Sequence, residues 1–206
     1  RPEILYFLAK DPGVDVRRAV ARNEATPVQA GLILADDSDT DVRCDLAQRI
    51  GRLAPQLDES SRERIGTVVD AVLAKLASDQ VPRVRQLLAE ELKHAVGVSS
   101  AVIEKLARDD DPSVAAPVLE YSPLLNDELL LDIIAGTPEG AALVAISRRA
   151  GLTEPVADAV VATDDDDAIC SLLSNRSAQI REETLDALVE QSASVPTWHA
   201  PLVLRP

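Results

Sequence analysis

One phrase recurs along this chain of 206 residues. It reads Leu-Ala, one variable residue, Asp, four more variable residues, then Val-Arg and a short apolar run. Leu8, Asp11, Val16 and Arg17 give the first copy. Leu34, Asp37, Val42 and Arg43 give the second, and Leu76, Asp79, Val84 and Arg85 the third. Leu106, Asp109 and Val114 give a fourth, with Ala115 in place of the arginine. Self-similarity at a few tens of residues is the signature of stacked helical units, each burying itself against its neighbours. The copies start 26, 42 and 30 residues apart, so the array is irregular. Weaker copies follow at Ile134, Thr137 and Ala142, at Val161, Asp164 and Ile169, and at Leu172, Asn175, Ile180 and Arg181.

Composition fits an all-α chain. Hydrophobic residues make up 46% and aromatic ones only 2%, so Leu, Val, Ile and Ala must form the core. Ala and Leu are strong helix formers. No sustained period-two alternation and no Asn-Gly or Asp-Gly turn marks a hairpin. Helix starts are well signalled at Thr26-Pro27-Val28-Gln29, Ser60-Ser61-Arg62-Glu63, Asn126-Asp127-Glu128, Thr137-Pro138-Glu139 and Thr153-Glu154-Pro155. Ser177 is expected to cap the helix through Leu185 and Leu188. Two longer helices are expected near 41–53 and 60–77. Pro117 should kink or end its helix, and Trp198 should anchor the last helix in the core. We expect about a dozen helices in one domain spanning 1–206, itself a part of a longer polypeptide.

The phrase has a physical logic. The Asp lies in the turn between two helices, where its carboxylate accepts backbone N–H groups and favours the next helix N-terminus. The Val enters the core. The Arg, six residues after the Asp, stands on the first turn of the second helix, within reach of an Asp on its own or an adjacent unit. Asp11, Arg17, Asp37, Arg43, Asp79 and Arg85 should form such a ladder.

The Asp-to-Arg spacing resembles HEAT-type repeats, and residues 8–43 resemble the leucine-rich repeat variant. Asp111-Pro112-Ser113-Val114-Ala115-Ala116-Pro117-Val118-Leu119, followed by Ser122-Pro123-Leu124-Leu125-Asn126-Asp127-Glu128-Leu129-Leu130, is similar to an alphaproteobacterial family known as a domain of unknown function, DUF2336. Ser174-Asn175-Arg176-Ser177-Ala178-Gln179-Ile180 fits it too. The resemblance implies a right-handed α-α superhelix, a HEAT-like solenoid, and supplies no catalytic residues.

Charge narrows the partners. The formal charge is −14, with 15 basic and 17 acidic residues in 1–107 against 6 and 18 in 108–206. A strongly acidic half repels nucleic acid and anionic membranes. Basic residues cluster in the first half instead. Arg18, Arg22, Arg49, Arg52, Arg83 and Lys93 all fall on expected second helices, a row that reads more readily as solvated charges offset by Asp15, Asp45 and Glu90 than as a positive groove for an acidic peptide or helix. Reversing Arg18 and Arg22 to Glu should weaken partner capture without unfolding the repeats.

The remaining residues with reactive chemistry have simple readings. Asp36, Asp37, Asp39 and Asp41, Asp109 to Asp111, and Asp164 to Asp167 read as caps and solvated charge more readily than as a divalent-cation edge, since none has a calcium-loop spacing. His94 and His199 lack a second ligand at metal spacing. Cys44 and Cys170 have no neighbouring base and read as small hydrophobes. The expectation is therefore a non-enzymatic, cytoplasmic scaffold for a protein or peptide partner. It needs no metal or cofactor and has no membrane span. Head-to-tail pairing of two copies is the self-association that its charge asymmetry permits. A HEAT-like nucleic-acid binder using the basic row, and a metal-dependent enzyme using the aspartates, are the alternatives.

Overall fold

Val42, Leu46 and Ile50 stand four residues apart, as do Val84, Leu88 and Leu92, and all six are fully buried. That spacing lays one apolar stripe along a helix. The alanine four residues after each phrase arginine (Ala21, Ala47, Ala89) has no exposed surface, so a second, small-residue side of the helix is covered as well. Helices buried on two sides belong in the middle of a layered stack.

A computed structural model describes residues 2–136 and 140–205 and bears this out. Among the described residues there are fourteen α-helices and no strand. They are α1 (Pro2–Leu8), α2 (Val14–Arg22), α3 (Val28–Leu34), α4 (Thr40–Leu53), α5 (Glu59–Leu76), α6 (Pro82–Leu92) and α7 (Ser100–Ala107). The rest are α8 (Pro112–Tyr121), α9 (Asp127–Ala135), α10 (Gly140–Ser147), α11 (Glu154–Val161), α12 (Asp166–Ser174), α13 (Glu182–Gln191) and α14 (His199–Leu204). Short 3-10 turns at Ala54–Gln56 and Pro196–Trp198 complete the set. From α2 to α14 each even-numbered helix packs on the next even-numbered one. Among the odd-numbered helices, α1 packs on α3, α3 on α5, α5 on α7, and α9 on α11. One apolar core runs from Ala9 to Ala178. A smaller cluster of Ile169, Leu173, Leu188 and Trp198 closes the C-terminal end. Trp198 is buried there, and its indole N–H donates to the Asp166 carbonyl at 3.2 Å.

Several local expectations need correction. The cap of α5 is Asp58, which accepts the Ser61 N–H at 2.7 Å, so the helix starts before the Ser60 box. Thr26 does not cap α3; its hydroxyl donates to the Val20 carbonyl at 2.7 Å and ties α3 to the end of α2. Thr153 likewise donates its hydroxyl to Asp127, at 2.7 Å, instead of accepting from its own helix. Ser177 lies too early to cap α13, which starts at Glu182; its hydroxyl donates to Asn175 instead. Pro117 does not end α8, which continues to Tyr121. The carbonyl that Pro117 leaves without its helical donor belongs to Ser113, an exposed residue where water can serve. Asn126 caps α9 through the Leu129 N–H at 2.9 Å, as its sequence position suggests. Thr137, Pro138 and Glu139 lie outside the described residues. The copy at Leu172 is out of register: it follows even helix α12, whereas the first four phrases lie between an odd and an even helix.

Candidate functional site

The phrase arginines link neighbouring units. Arg17 grips Asp37 with two bonds, Nε to Oδ2 at 2.6 Å and Nη2 to Oδ1 at 3.0 Å. Arg43 grips Asp79 in the same way at 2.6 and 3.2 Å, and Arg85 grips Asp109 at 2.5 and 2.8 Å. The third nitrogen of each arginine turns back to its own unit. Nη1 donates to the carbonyl of Asp11, Asp37 or Asp79, six residues upstream, at 2.8, 2.7 and 2.6 Å. The six-residue offset thus records an arginine-to-carbonyl contact, while the carboxylate belongs to the following unit.

Every ladder Asp also accepts the N–H two residues ahead, at Gly13, Asp39, Val81 and Asp111. Asp11 has that bond alone, because no phrase arginine precedes it. Burial raises the Asp37 carboxyl, but hydrogen bonds from Arg17 and the Asp39 amide, with the charges of Arg17 and Arg43, outweigh it and hold the group below its ordinary value. Ala115 ends the ladder at Asp109.

The basic row is largely paired. Arg18 and Arg22 on α2 both reach Asp45 of α4, at 2.9 Å each, and Asp45 is buried. Arg18 also approaches Asp41 at 3.4 Å. Arg52 pairs with Glu91 of α6 at 2.9 Å. Lys93 pairs with Glu90 at 2.8 Å and lies 5.1 Å above the ring of Tyr121. Arg83 is exposed and forms no ion pair among the described residues. The row is therefore not an open positive groove. Reversing Arg18 and Arg22 would set two carboxylates against the buried Asp45, so that change is no neutral probe of binding.

Arg49 stands apart. Its residue surface is only 7% exposed. Nη1 donates to the Thr26 carbonyl at 3.1 Å, while Nε and Nη2, both buried, have no acceptor among the described residues. Burial pushes its pKa down from the usual arginine value, but an arginine stays a cation at any ordinary pH. Arg49 lines a cleft of about 600 Å³ together with Arg22, Glu24, Asp45, Gln48, Arg52, Leu53 and Gln56.

In the second half, the C-terminal ends of even helices are held by Arg149, Asn175 and Arg205, of which the sequence reading singled out Asn175 alone, as part of a repeat copy. Arg149 donates to the carbonyls of Leu119, Ser122 and Leu125 beyond and within the end of α8. Asn175 donates to the carbonyls of Ser147 and Arg149 at the end of α10, at 2.9 and 2.7 Å. Arg205 donates to those of Leu172, Leu173, Asn175 and Ala178 around the end of α12. The positions 149, 175 and 205 are spaced by about one repeat, and that is the signal that would have found them.

The aspartate clusters have individual tasks. Asp39, Asp111 and Asp165 cap α4, α8 and α12. Asp36 pairs with Lys75. Among the described residues no group of three or more His, Cys, Asp or Glu is arranged to hold a metal ion. His94 stacks at a tilt on Tyr121, with ring centres 5.2 Å apart, and His199 Nε2 meets the Ser192 carbonyl at 2.7 Å. Cys44 is buried, which pushes its thiol up, and Cys170 is half-buried. Among the described residues no helix is long and apolar enough to cross a membrane.

Residues 114–206 match the family DUF2336, described as an uncharacterised protein conserved in bacteria. This is the family that residues 111–130 and 174–180 resemble. No curated protein and no solved structure matches the chain.

Proposed function

We propose that this chain is a non-enzymatic helical-repeat scaffold, a right-handed α-α superhelix that holds a protein or peptide partner across several units. The observation that supports this reading is the unbroken row of even helices, α2 to α14, each packed on the next. Such a row offers one extended surface built from consecutive repeats, the usual binding surface of repeat proteins. The carboxylate ladder contributes by fixing one unit against another with paired bonds, so that residues on different helices keep their spacing. The pairing of Arg18, Arg22 and Arg52 with carboxylates removes the continuous basic surface on which a nucleic-acid reading depends.

The test is capture of partners by the intact chain from native bacterial cells, followed by amide hydrogen exchange of the purified complex. Protection that runs along consecutive even helices supports the reading. Protection limited to one chain end, or tight salt-dependent binding of duplex DNA in place of a protein, overturns it.

A further inference from the structure

Arginines that hold helix carbonyls are well supplied elsewhere in the chain. Arg149 serves three carbonyls and Arg205 four. Arg49 serves one, and its Nε and Nη2 are the buried side-chain donors, among the described residues, that have no acceptor. Leaving a charged donor buried and unmatched is costly, so an acceptor from outside the chain has a large advantage there. The Nε–Nη2 edge of a guanidinium is the edge that takes two oxygens in parallel. Arg17, Arg43 and Arg85 use that same edge for their aspartates.

Resting on the scaffold reading, we infer that the cleft between the end of α2 and the middle of α4 receives one carboxylate of an acidic peptide segment, held on the Nε–Nη2 edge of Arg49. The lining charges favour a carboxylate over a phosphate. Arg22 is paired with Asp45 and Arg52 with Glu91, which leaves Arg49 as the cation of the lining that has no carboxylate among the described residues. A carboxylate matches that one cation, whereas a phosphate dianion overshoots it and meets Glu24 and Asp45 in repulsion. The incoming group reaches the two donors by displacing the flexible side chains of Gln48, Arg52 or Gln56, which line the same space. Leu53 supplies an apolar wall for the peptide's methylenes.

The experiment is a titration of the full chain, followed through the arginine Nε–H resonances, with the peptide acetyl-Glu-Glu-Glu-amide and, separately, with inorganic phosphate at matched ionic strength. The expected result is a saturable shift of the Arg49 resonance with the peptide and a much smaller one with phosphate. Gln56→Glu, a change on the exposed rim, should weaken the peptide by roughly tenfold through added repulsion at short range. Arg49→Gln should abolish binding; circular dichroism checks that it folds, and the rim variant decides the matter if it does not. An unmoved Arg49 resonance, an equal response to phosphate, or an indifferent Gln56→Glu each overturns the inference. Failure here with partner capture intact leaves the scaffold reading standing. Peptide binding here with no native partner overturns the scaffold and leaves the cleft.

Discussion

Asp11 and Asp79 occupy the same place in the repeat phrase, and the structure gives them different work. Each accepts the N–H two residues ahead, at 2.8 Å from Gly13 and 2.9 Å from Val81. Only Asp79 also receives an arginine, through the two bonds from Arg43. An asparagine carbonyl can keep the turn bond, so Asp11→Asn should change stability by no more than about 0.5 kcal/mol, the range of ordinary surface substitutions. Asp79→Asn removes the charge and turns an amide N–H toward a guanidinium nitrogen. The Arg43 and Asp79 side chains are only 13% and 7% exposed, so solvent screens the pair little. Hydrogen bonds to charged groups contribute about 1.5–3 kcal/mol, and removing one partner of a buried pair costs about 3–5. Because Asn retains one acceptor and Arg43 keeps the Asp37 carbonyl, we expect a loss of about 2–4 kcal/mol. Urea unfolding followed by circular dichroism at 222 nm gives both values, and a cycle with Arg43→Met isolates the coupling. Equal losses for the two Asn variants would show that the carboxylates serve the turns alone and that the ladder adds nothing.

Three further outcomes follow from the same contacts. A Cβ on Gly51 of α4 would lie 2.7 Å from the Glu91 Cβ of α6, which cannot swing away, so Gly51→Ala should cost about 1–3 kcal/mol in urea melts despite the better helix propensity of Ala. Arg149→Met leaves the carbonyls of Leu119, Ser122 and Leu125 without their donor; a loss of about 2–4 kcal/mol is expected, with faster hydrogen exchange at the end of α8. The Asp37 carboxyl sits below its ordinary value in the folded chain, so its contribution is complete above the unfolded pKa of about 4 and is lost as pH falls through the lower folded value. The stability difference between the parent and Asp37→Asn should be flat near neutral pH and shrink below about pH 4; a difference that persists unchanged into acid refutes the assignment.

The helical character was legible because apolar spacing and cap residues are local. Val42, Leu46 and Ile50 fix one helix, and Asn126 fixes the start of another, with no knowledge of the rest of the chain. The ladder was legible as a pattern but not in its connections. The Arg–Asp partners are 20, 36 and 24 residues apart because the units differ in length, and an irregular separation leaves no period to read. The basic row was legible in part. Asp45 and Glu90 do offset it, through Arg18, Arg22 and Lys93, but the pairing of Arg52 with Glu91 of the next even helix was not readable. Charge lists do not reveal which cations meet across a helix pair. Ser177 misled because a serine before an apolar run resembles a cap whether or not the helix starts within three residues. Arg149 and Arg205 stayed hidden because they bond carbonyls, which every residue carries, so that only the one-repeat spacing of 149, 175 and 205 marks them.

Two kinds of contact join the units, and the ladder of doubly bonded carboxylates ends at Asp109, although Arg181 still reaches Glu154 and Asp158 farther on. Up to Asp109, arginines near the N-termini of α2, α4 and α6 reach carboxylates in the next turn. Ala115 carries no charge, and beyond it Arg149, Asn175 and Arg205 instead hold the C-terminal ends of α8, α10 and α12. The match to DUF2336 begins at residue 114, just past the last carboxylate rung, so the matched region lies outside the ladder. Arg49 belongs by chemistry to the second kind but stands in the first half. Arg149 and Arg205 lie just beyond the ends of α10 and α14 and each serves several carbonyls. Arg49 lies within α4 and reaches a single carbonyl, that of Thr26 in the turn between α2 and α3. A side chain placed this way holds two units together with one nitrogen and keeps two donors for something else, and the adjoining cleft is where that acceptor has room to enter.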